Sequence, residues 1–254
     1  MNLFDLSGRT ALVTGSSRGI GYALAQGLLE AGARVVVHGR HAGAADAAAE
    51  RLRTATGGET MVETFDVTDP ESVDDGIGRI EAACGTLDVC VNNAGIQRRA
   101  PFVDFAVEDW NDLVATNLTS AFLVGQRVAR GMLLRGRGKI VNVGSVQSRL
   151  ARPGIAPYSA TKGGIVMLTQ GMCADLGPHG IQVNALAPGY FATELTQALV
   201  DDEAFSAWVA QRTPAGRWGQ VSELVGTLVF LSSAASDFVN GQTIYVDGGM
   251  TAVV

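Results

Sequence analysis

Tyr158 and Lys162, four residues apart, are the first pair of side chains in this sequence whose types and spacing suggest chemistry. Tyr158 opens a stretch that reads as helical over residues 159–176, so the phenol and the ammonium share one helical face. A phenol with a pKa of about 10 is a poor base at neutral pH. A neighbouring ammonium favours the phenolate, so the spacing predicts a lowered pKa for Tyr158 and proton transfer near neutrality. Alone, the pair is equally at home as a surface pair on an amphipathic helix. Ser145 shifts the balance. It follows a strand read over 139–143, and its hydroxyl can donate to a carbonyl oxygen as negative charge develops there. Asn117 lies inside a long helical stretch, a poor place for Asn by propensity. It is expected either to break the local helix bonding and hold a water linking Lys162 to solvent, or to be a buried Asn satisfied by backbone. The chemistry these residues suit is proton transfer at an oxygen that alternates between hydroxyl and carbonyl.

Such residues need a frame. Short β-branched runs at 10–14, 34–38, 61–65, 87–91, 139–143, 182–187 and 243–246 read as seven strands. Helical spacing covers 20–31, 42–56, 70–83, 107–135, 159–176, 204–211 and 222–232. Gly32 reads as a C-cap after the first helix, Gly57-Gly58 ends the second, and Asp69-Pro70 opens the third. Strands separated by crossover helices imply a parallel sheet covered on both faces. With no linker, repeat or composition break, the expectation is one α/β, doubly wound, Rossmann-like domain over 1–254. In such sheets ligands bind beyond the carboxyl ends of the strands, which is where Ser145 and Tyr158 fall.

The first strand runs into Thr14-Gly15-Ser16-Ser17-Arg18-Gly19-Ile20-Gly21. Gly15 permits a tight turn, Gly19 lets backbone approach a pyrophosphate, and Gly21 lets the helix pack closely. With Ser17, Arg18 and Ile20 they place a helix N-terminus, with its free N–H groups and positive dipole end, against an anion. The bland alternative is an ordinary glycine-rich turn. The second strand ends Val37-His38-Gly39-Arg40, without the carboxylate that usually holds an NAD ribose. Arg40 and Arg18 are placed to pair with a 2′-phosphate, so NADP(H) is favoured over NAD(H). They also fit as solvated surface charges, and His38 and His41 read as incidental. Asp66 and Val67 follow the third strand and suit an adenine edge, unless Asp66 makes only an Asx turn or a cap. Asn93, Ala94 and Gly95 follow the fourth strand and let the chain pass close to a ribose. Asn side chains there tie adjacent strands.

The formal charge of −6 argues against nucleic acid as the main partner. Hydrophobic residues at 47% and charged residues at 17% suit a large buried core rather than disorder. Cys84, Cys90 and Cys173 lack metal-ligand spacing and read as small core residues in a reducing compartment. The first fourteen residues carry Asp5 and Arg9 and do not read as a signal peptide. No window approaches a membrane span, and a cytoplasmic location is expected.

Taken in order, the 14–21 loop, Asn92-Asn93-Ala94-Gly95, Asn117, Ser145, Tyr158, Lys162 and Pro188-Gly189 resemble the motifs of the short-chain dehydrogenase/reductase family across nearly the whole chain. The resemblance implies a catalytic tetrad of Asn117, Ser145, Tyr158 and Lys162, with Lys162 also binding the nicotinamide ribose. It places Pro188, Gly189, the Phe191 backbone and the Thr193 hydroxyl at the nicotinamide end. It further implies a homotetramer and no metal. Segments 92–99, 145–149, 189–194, 217–219, 237–241 and 246–250 are similar to the gluconate 5-dehydrogenase (5-keto-D-gluconate reductase) subgroup, from which Gly144 and 149–154 depart. That implies a sugar-acid substrate such as D-gluconate. Arg98, Arg99, Arg149 and Arg152 are then candidates to fork a carboxylate, Arg98 first among them. Gln97 and Gln147 suit hydroxyls, and Tyr190 with helices over 192–212 forms a substrate lid spanning about 190–215. Other readings stay open: a 3-oxoacyl carrier-protein reductase, another sugar, polyol or deoxy-ketogluconate dehydrogenase, or a non-catalytic cofactor sensor.

Overall fold

The computed structural model describes residues 3–193 and 196–253. From the N-terminal side the chain runs β1 (Thr10–Val13), α1 (Gly19–Glu30), β2 (Arg34–Gly39), α2 (Ala42–Thr56), β3 (Thr60–Thr64) and α3 (Pro70–Cys84). It continues through β4 (Val89–Asn92), α4 (Val107–Val114), a π-type turn (Ala115–Thr119), α5 (Ser120–Arg135), β5 (Gly138–Val143) and α6 (Ala156–Leu176). It then forms β6 (Ile181–Pro188), β7 (Phe191–Ala192), α7 (Gln197–Val200), α8 (Glu203–Arg212), β8 (Gly219–Gln220), α9 (Val225–Ser232) and β9 (Thr243–Val246).

Seven strands pair in the order β3-β2-β1-β4-β5-β6-β9, every neighbour parallel. This is the doubly wound sheet expected from the strand and helix alternation. The two-residue period of the strands divides the core. Ala11, Val13, Val35, Val37, Val89, Val91, Val141 and Val143 point to one side, where Leu24 and Leu28 of α1, Ala48 and Leu52 of α2 and Leu228 of α9 cover them. Leu12, Val36, Cys90, Ile140 and Val183 point to the other, against Val73 and Ile77 of α3 and Val124, Val128 and Met132 of α5. Each Val, Leu, Ile or Met among them is worth about 1.5–3 kcal/mol when fully buried. A slip of one residue in any strand would exchange the two faces, and since both are covered the register is held by packing on each side.

The order of strands turns at β1, which has β2 on one side and β4 on the other. The crevice between the ends of β1 and β4 is therefore the topological switch point, where ligands of this architecture bind. Behind it runs a buried amide relay. Asn92 Nδ2 donates to Asn142 Oδ1 at 2.9 Å, and Asn142 Nδ2 donates to Thr169 Oγ1 at 2.9 Å. These bonds tie β4, β5 and α6 together below the site.

Helix signals were legible where caps are local. Asp69 accepts from the Glu71 N–H at 3.1 Å and Pro70 starts α3. Gly57 closes α2 in the left-handed region, at φ 69°. Two expectations are refined, and one small strand pair was not foreseen. The single helix expected over 107–135 stays helical throughout but widens at the π-type turn, where the Asn117 side chain bonds across to Ile96. The helix expected over 222–232 begins as a 3-10 turn (Val221–Leu224). The parallel β7–β8 pair, two residues on each strand, is too short to leave an alternation in the sequence. Among the described residues, no helix is long and apolar enough to cross a membrane.

Candidate active site

Ser145 leaves β5 in extended conformation and caps a short 3-10 turn (Val146–Ser148). Its Oγ accepts the Gln147 N–H at 3.2 Å, so its own proton is available to another acceptor. The first turn of α6, opened by Pro157, carries Tyr158 toward it, and the two hydroxyls are hydrogen-bonded. One turn on, Lys162 is buried, donates to the Val143 carbonyl at 2.7 Å and lies 5.7 Å from the centre of the Tyr158 ring.

The electrostatics differ from the expectation drawn from spacing. Burial raises the Tyr158 pKa above its usual value, against a lowering contribution from Ser145, and the nearby Tyr190 phenol raises it further. The Lys162 ammonium does not overcome that burial, because it is directed at the Val143 carbonyl and sits over the ring rather than at the hydroxyl. Burial also lowers Lys162 to about 8. In this state Tyr158 is a neutral phenol at pH 7, poised to give a proton rather than take one.

Asn117 lies in the π-type turn and is 2% exposed. Its Oδ1 accepts the Ile96 N–H at 2.8 Å, and its Nδ2 donates to the Ile96 carbonyl at 3.0 Å and to Thr161 Oγ1 at 3.5 Å. The side chain thus clamps the loop after β4 to α6. No side-chain donor remains for a water.

At the switch point the loops after β1 and β4 are sewn together. Thr14 Oγ1 accepts N–H groups from Asn93 and Ala94, both at 3.0 Å, and Asn93 Nδ2 donates to the carbonyls of Thr14 at 2.9 Å and Gly15 at 3.2 Å. Gly15 and Gly19 hold φ of 65° and 59°, a region side chains disfavour. A Cβ on Gly21 would collide with Asn93 Nδ2 and the Gly15 carbonyl, whereas one on Gly19 would meet no protein atom within 4 Å. The start of α1 has no side-chain cap and no acidic residue in its first turn. Bare N–H groups and a positive dipole end suit a pyrophosphate, so the residues present fit a dinucleotide.

Arg18 and Arg40 are exposed beside this loop, and neither forms an ion pair among the described residues. Asp66 does make the Asx turn weighed as the bland alternative. Its Oδ1 accepts from Thr68 Oγ1 at 2.7 Å and Thr68 N at 2.9 Å, which lowers its pKa, and Val67 beside it is buried. Gly189 N donates to the Val246 carbonyl at 2.9 Å, and a Cβ there would lie 2.8 Å from Asp247 Cα. Buried Phe191 packs over Gly219, and Thr193 and Thr196 share a hydroxyl contact at 3.0 Å. Pro188 closes β6 beneath them.

On the substrate side the arginines separate. Arg98 turns outward to Asp109, Nε to Oδ1 at 3.1 Å, and Gln97 accepts the Arg98 N–H. Arg149 stacks on Tyr245 at 4.4 Å. Arg152 and Arg99 instead converge on the Tyr190 hydroxyl, where burial and the Arg152 charge together lower the Arg99 pKa. Gln147 Nε2 donates to Tyr190 Oη at 3.3 Å, while Gln147 Oε1 and Arg152 Nε are buried without a partner. Tyr190 stands edge-on to Phe205, Trp208 and Trp218 at centroid distances of 5.7, 5.7 and 5.6 Å, and Arg152 lies 5.4 Å from the Phe205 ring centre. Sequence reasoning ranked Arg98 first and did not mark this aromatic box. The signal available was the density of aromatic residues at 205, 208 and 218 in a chain with few of them.

A glycine loop at the switch point, Ser145 against Tyr158, and Lys162 one turn behind define a protein class. The family model described as enoyl-(acyl carrier protein) reductase matches residues 15–251, and the chain belongs to the short-chain dehydrogenase/reductase family of oxidoreductases. It is 60% identical to a gluconate 5-dehydrogenase of Gluconobacter oxydans (strain 621H), covering 98% of this chain and 97% of that one. It is 51% identical to a 5-keto-D-gluconate 5-reductase of Escherichia coli (strain K12), covering 100% and 99%. The crystal structure of a gluconate 5-dehydrogenase from Burkholderia cenocepacia J2315, in complex with NADP and tartrate, superposes with a TM-score of 0.97 at 57% identity, covering 100% and 99%.

The two pKa directions fix a sign. Lys162 loses its charge as pH rises through about 8, while Tyr158, raised, stays protonated there. Without the ammonium the phenolate left after proton donation is less stable. For carbonyl reduction, kcat/KM is therefore expected to bend downward above about pH 8, and Lys162→Met is expected to remove the bend, as read from pH–rate profiles.

Proposed function

We propose that this chain is an NADP(H)-dependent dehydrogenase that interconverts a secondary alcohol and a ketone on a sugar acid, D-gluconate and 5-keto-D-gluconate. One observation carries the reading. The buried phenol of Tyr158, bonded to Ser145, adjoins a wall where Arg152 Nε and Gln147 Oε1 are unpartnered and Arg99 and Tyr190 converge. Two guanidinium groups suit a carboxylate, and the amide oxygen and phenol suit a run of hydroxyls. The names of the gluconate-handling relatives support the same substrate class.

When bound, a nicotinamide would supply or accept the hydride. In reduction Ser145 donates a hydrogen bond to the ketone oxygen and Tyr158 passes its proton to that oxygen, completing the alcohol. The charge left on Tyr158 is stabilised by Ser145 and by the Lys162 ammonium. In oxidation the same proton returns to Tyr158. Lys162 would also hold the nicotinamide ribose, and Asn117 fixes the Ile96 loop against α6.

For the cofactor, Gly15, Ser17, Arg18, Gly19, Ile20 and Gly21 hold the pyrophosphate end, and Arg18 with Arg40 holds a 2′-phosphate. Asp66 and Val67 border the adenine, Asn93, Ala94 and Gly95 the ribose, and Pro188, Gly189, Phe191 and Thr193 the nicotinamide. The absence of an ion-pair partner for Arg18 and Arg40 among the described residues supports NADP(H) over NAD(H). For the substrate, Ser145, Tyr158, Gln147 and Tyr190 remain from the sequence reading, with Arg99 and Arg152 placed ahead of Arg98. We read the chain as one domain, with Tyr190 and α8 as a lid held by the aromatic box. Exposed Val107, Trp110, Phe122 and Met167 on α4, α5 and α6 support a homotetramer. A cytoplasmic site suits Cys90, a buried core thiol whose pKa burial pushes up to about 12.

Purified protein is expected to oxidise NADPH with 5-keto-D-gluconate, followed by loss of the reduced-cofactor absorbance; no turnover with either cofactor would sink the reading. Tyr158→Phe is expected to cost about 10²–10⁴ in kcat while leaving cofactor affinity intact. Arg152→Ala is expected to raise KM for the sugar acid by about 10–100-fold with a smaller change in kcat. An unchanged KM would move the carboxylate elsewhere. Arg40→Asp is expected to shift the ratio of specificities from NADPH toward NADH by roughly 10-fold or more, and a ratio that stays put would free Arg40 of the phosphate.

A further inference from the structure

His38 sits near the end of β2, 2% exposed, directly after three buried valines. Nothing in the chemistry described so far uses it. Yet both ring nitrogens are engaged, and by two different loops. Nδ1 lies 3.1 Å from the Gly15 N, at the first turn of the glycine loop. Nε2 lies 3.0 Å from the carbonyl of Phe65, the residue before Asp66. The main chain is held as well, with Ser16 Oγ accepting the His38 N–H and the His38 carbonyl accepting the Ser16 N–H, both at 2.9 Å. The ring packs 4.1 Å from the Phe65 ring.

The partners decide the proton. Gly15 N–H is a donor, so Nδ1 must present its lone pair. The Phe65 carbonyl is an acceptor, so Nε2 must carry the hydrogen. Only the neutral Nε2–H tautomer satisfies both, since a cation would set one N–H against another. Burial pushes the pKa down to about 4, against the Phe65 carbonyl and the charges of Glu63 on β3 and Asp66 beyond it. Arg40, after β2, acts on Asp66, and Arg51 of α2 donates to the Ser17 carbonyl on the far side of the glycine loop.

We propose that His38 is a positioning residue for the cofactor, a neutral imidazole that couples the pyrophosphate loop at Gly15 to the adenine-side loop at Phe65–Asp66 and fixes their separation. The proposal rests on reading these two loops as a dinucleotide site. A chain that held the loops by packing alone would need no polar group after a run of valines. An imidazole, with an acceptor and a donor on opposite edges, spans the gap between an N–H and a C=O in a way that no aliphatic side chain can.

The test uses the full chain and NADP⁺ binding by calorimetry, alongside steady-state kinetics. His38→Leu removes both bonds. His38→Asn keeps an acceptor near the position of Nδ1, and His38→Gln keeps a donor toward the Phe65 carbonyl. His38→Leu is expected to weaken NADP⁺ binding by about 10–100-fold, because a buried N–H and C=O lose their partners. His38→Asn is expected to recover most of that loss. kcat at saturating cofactor and KM for the sugar acid are expected to stay within about twofold, since neither Tyr158 nor the arginine wall touches His38. With only three histidines in the chain, ¹⁵N-labelled histidine is readily assigned by NMR. The expected signature is one ring in the Nε2–H form that stays neutral at pH 5.5. A ring protonated at that pH, or in the Nδ1–H form, overturns the proposal. So does a folded His38→Leu variant with wild-type affinity, or equal losses in kcat and cofactor binding across all three variants. Should His38→Leu not fold, His38→Asn and His38→Gln decide: both binding as wild type does overturns the coupling. Wild-type protein that binds no nicotinamide nucleotide takes down the dinucleotide reading and this proposal together, whereas wild type that binds, with unchanged variants, takes down this proposal alone.

Discussion

The hydroxyl of Thr14 accepts two backbone N–H groups from the loop after β4, and Asn93 returns an amide to the carbonyls of Thr14 and Gly15. This seam closes the switch point of the sheet. Two parallel strands end side by side there, and each must release its chain in a different direction. Their last carbonyls and the following N–H groups have no ladder partner, and water cannot fully reach them. Asn93 and Thr14 satisfy them in place. The glycine loop is then free to hold its left-handed turns, and Ala94 and Gly95 are drawn close enough to form the opposite wall. Without the seam, neither wall of the crevice would have a fixed position relative to the other.

From that seam the rest of the site is reached through buried polar contacts rather than through packing alone. Asn117 carries the β4 loop to α6 through Ile96 and Thr161. The Asn92–Asn142–Thr169 relay joins β4, β5 and α6 below. Lys162 anchors α6 to the end of β5 through the Val143 carbonyl. In the proposed mechanism the ammonium thus has two tasks, one mechanical and one electrostatic. Burial raises the pKa of the phenol, and the mechanical task keeps the positive charge near Tyr158 but directed at a carbonyl, so the phenol is not acidified in advance. Proton donation from a neutral phenol, followed by relief of the new charge, fits that arrangement better than a standing phenolate.

Much of this was legible in the sequence, and for definite reasons. The alternation of Val-rich strands with capped helices is a local pattern, and it located all seven strands of the sheet within a few residues. Ser145, Tyr158 and Lys162 were legible because they sit at the carboxyl end of a strand and at one turn of a helix. What escaped depends on direction. Arg98 and Arg99 are neighbours in sequence, but one points to Asp109 and the other toward Tyr190, and nothing in their spacing decides which. Asn117 was legible as an oddity, yet the partner of its side chain is Ile96, twenty-one residues away. The lowering expected for Tyr158 failed for a similar reason, since burial raises its pKa and the Val143 carbonyl that takes the Lys162 ammonium lies nineteen residues upstream.

The π-type turn between α4 and α5 has a geometric consequence of its own. An ordinary helix advances about 100° per residue, and a wider turn inserts one residue without adding a residue's worth of rise. It therefore acts as a phase shifter. The faces of α4 and α5 are set about 100° apart from where one continuous helix would put them. Trp110 and Phe122 emerge on the surface while Leu113 and Val124 stay buried. Asn117 is the index mark of that shift, so the angular setting of an outward-facing apolar surface is mechanically geared to the residue that holds the active-site loop.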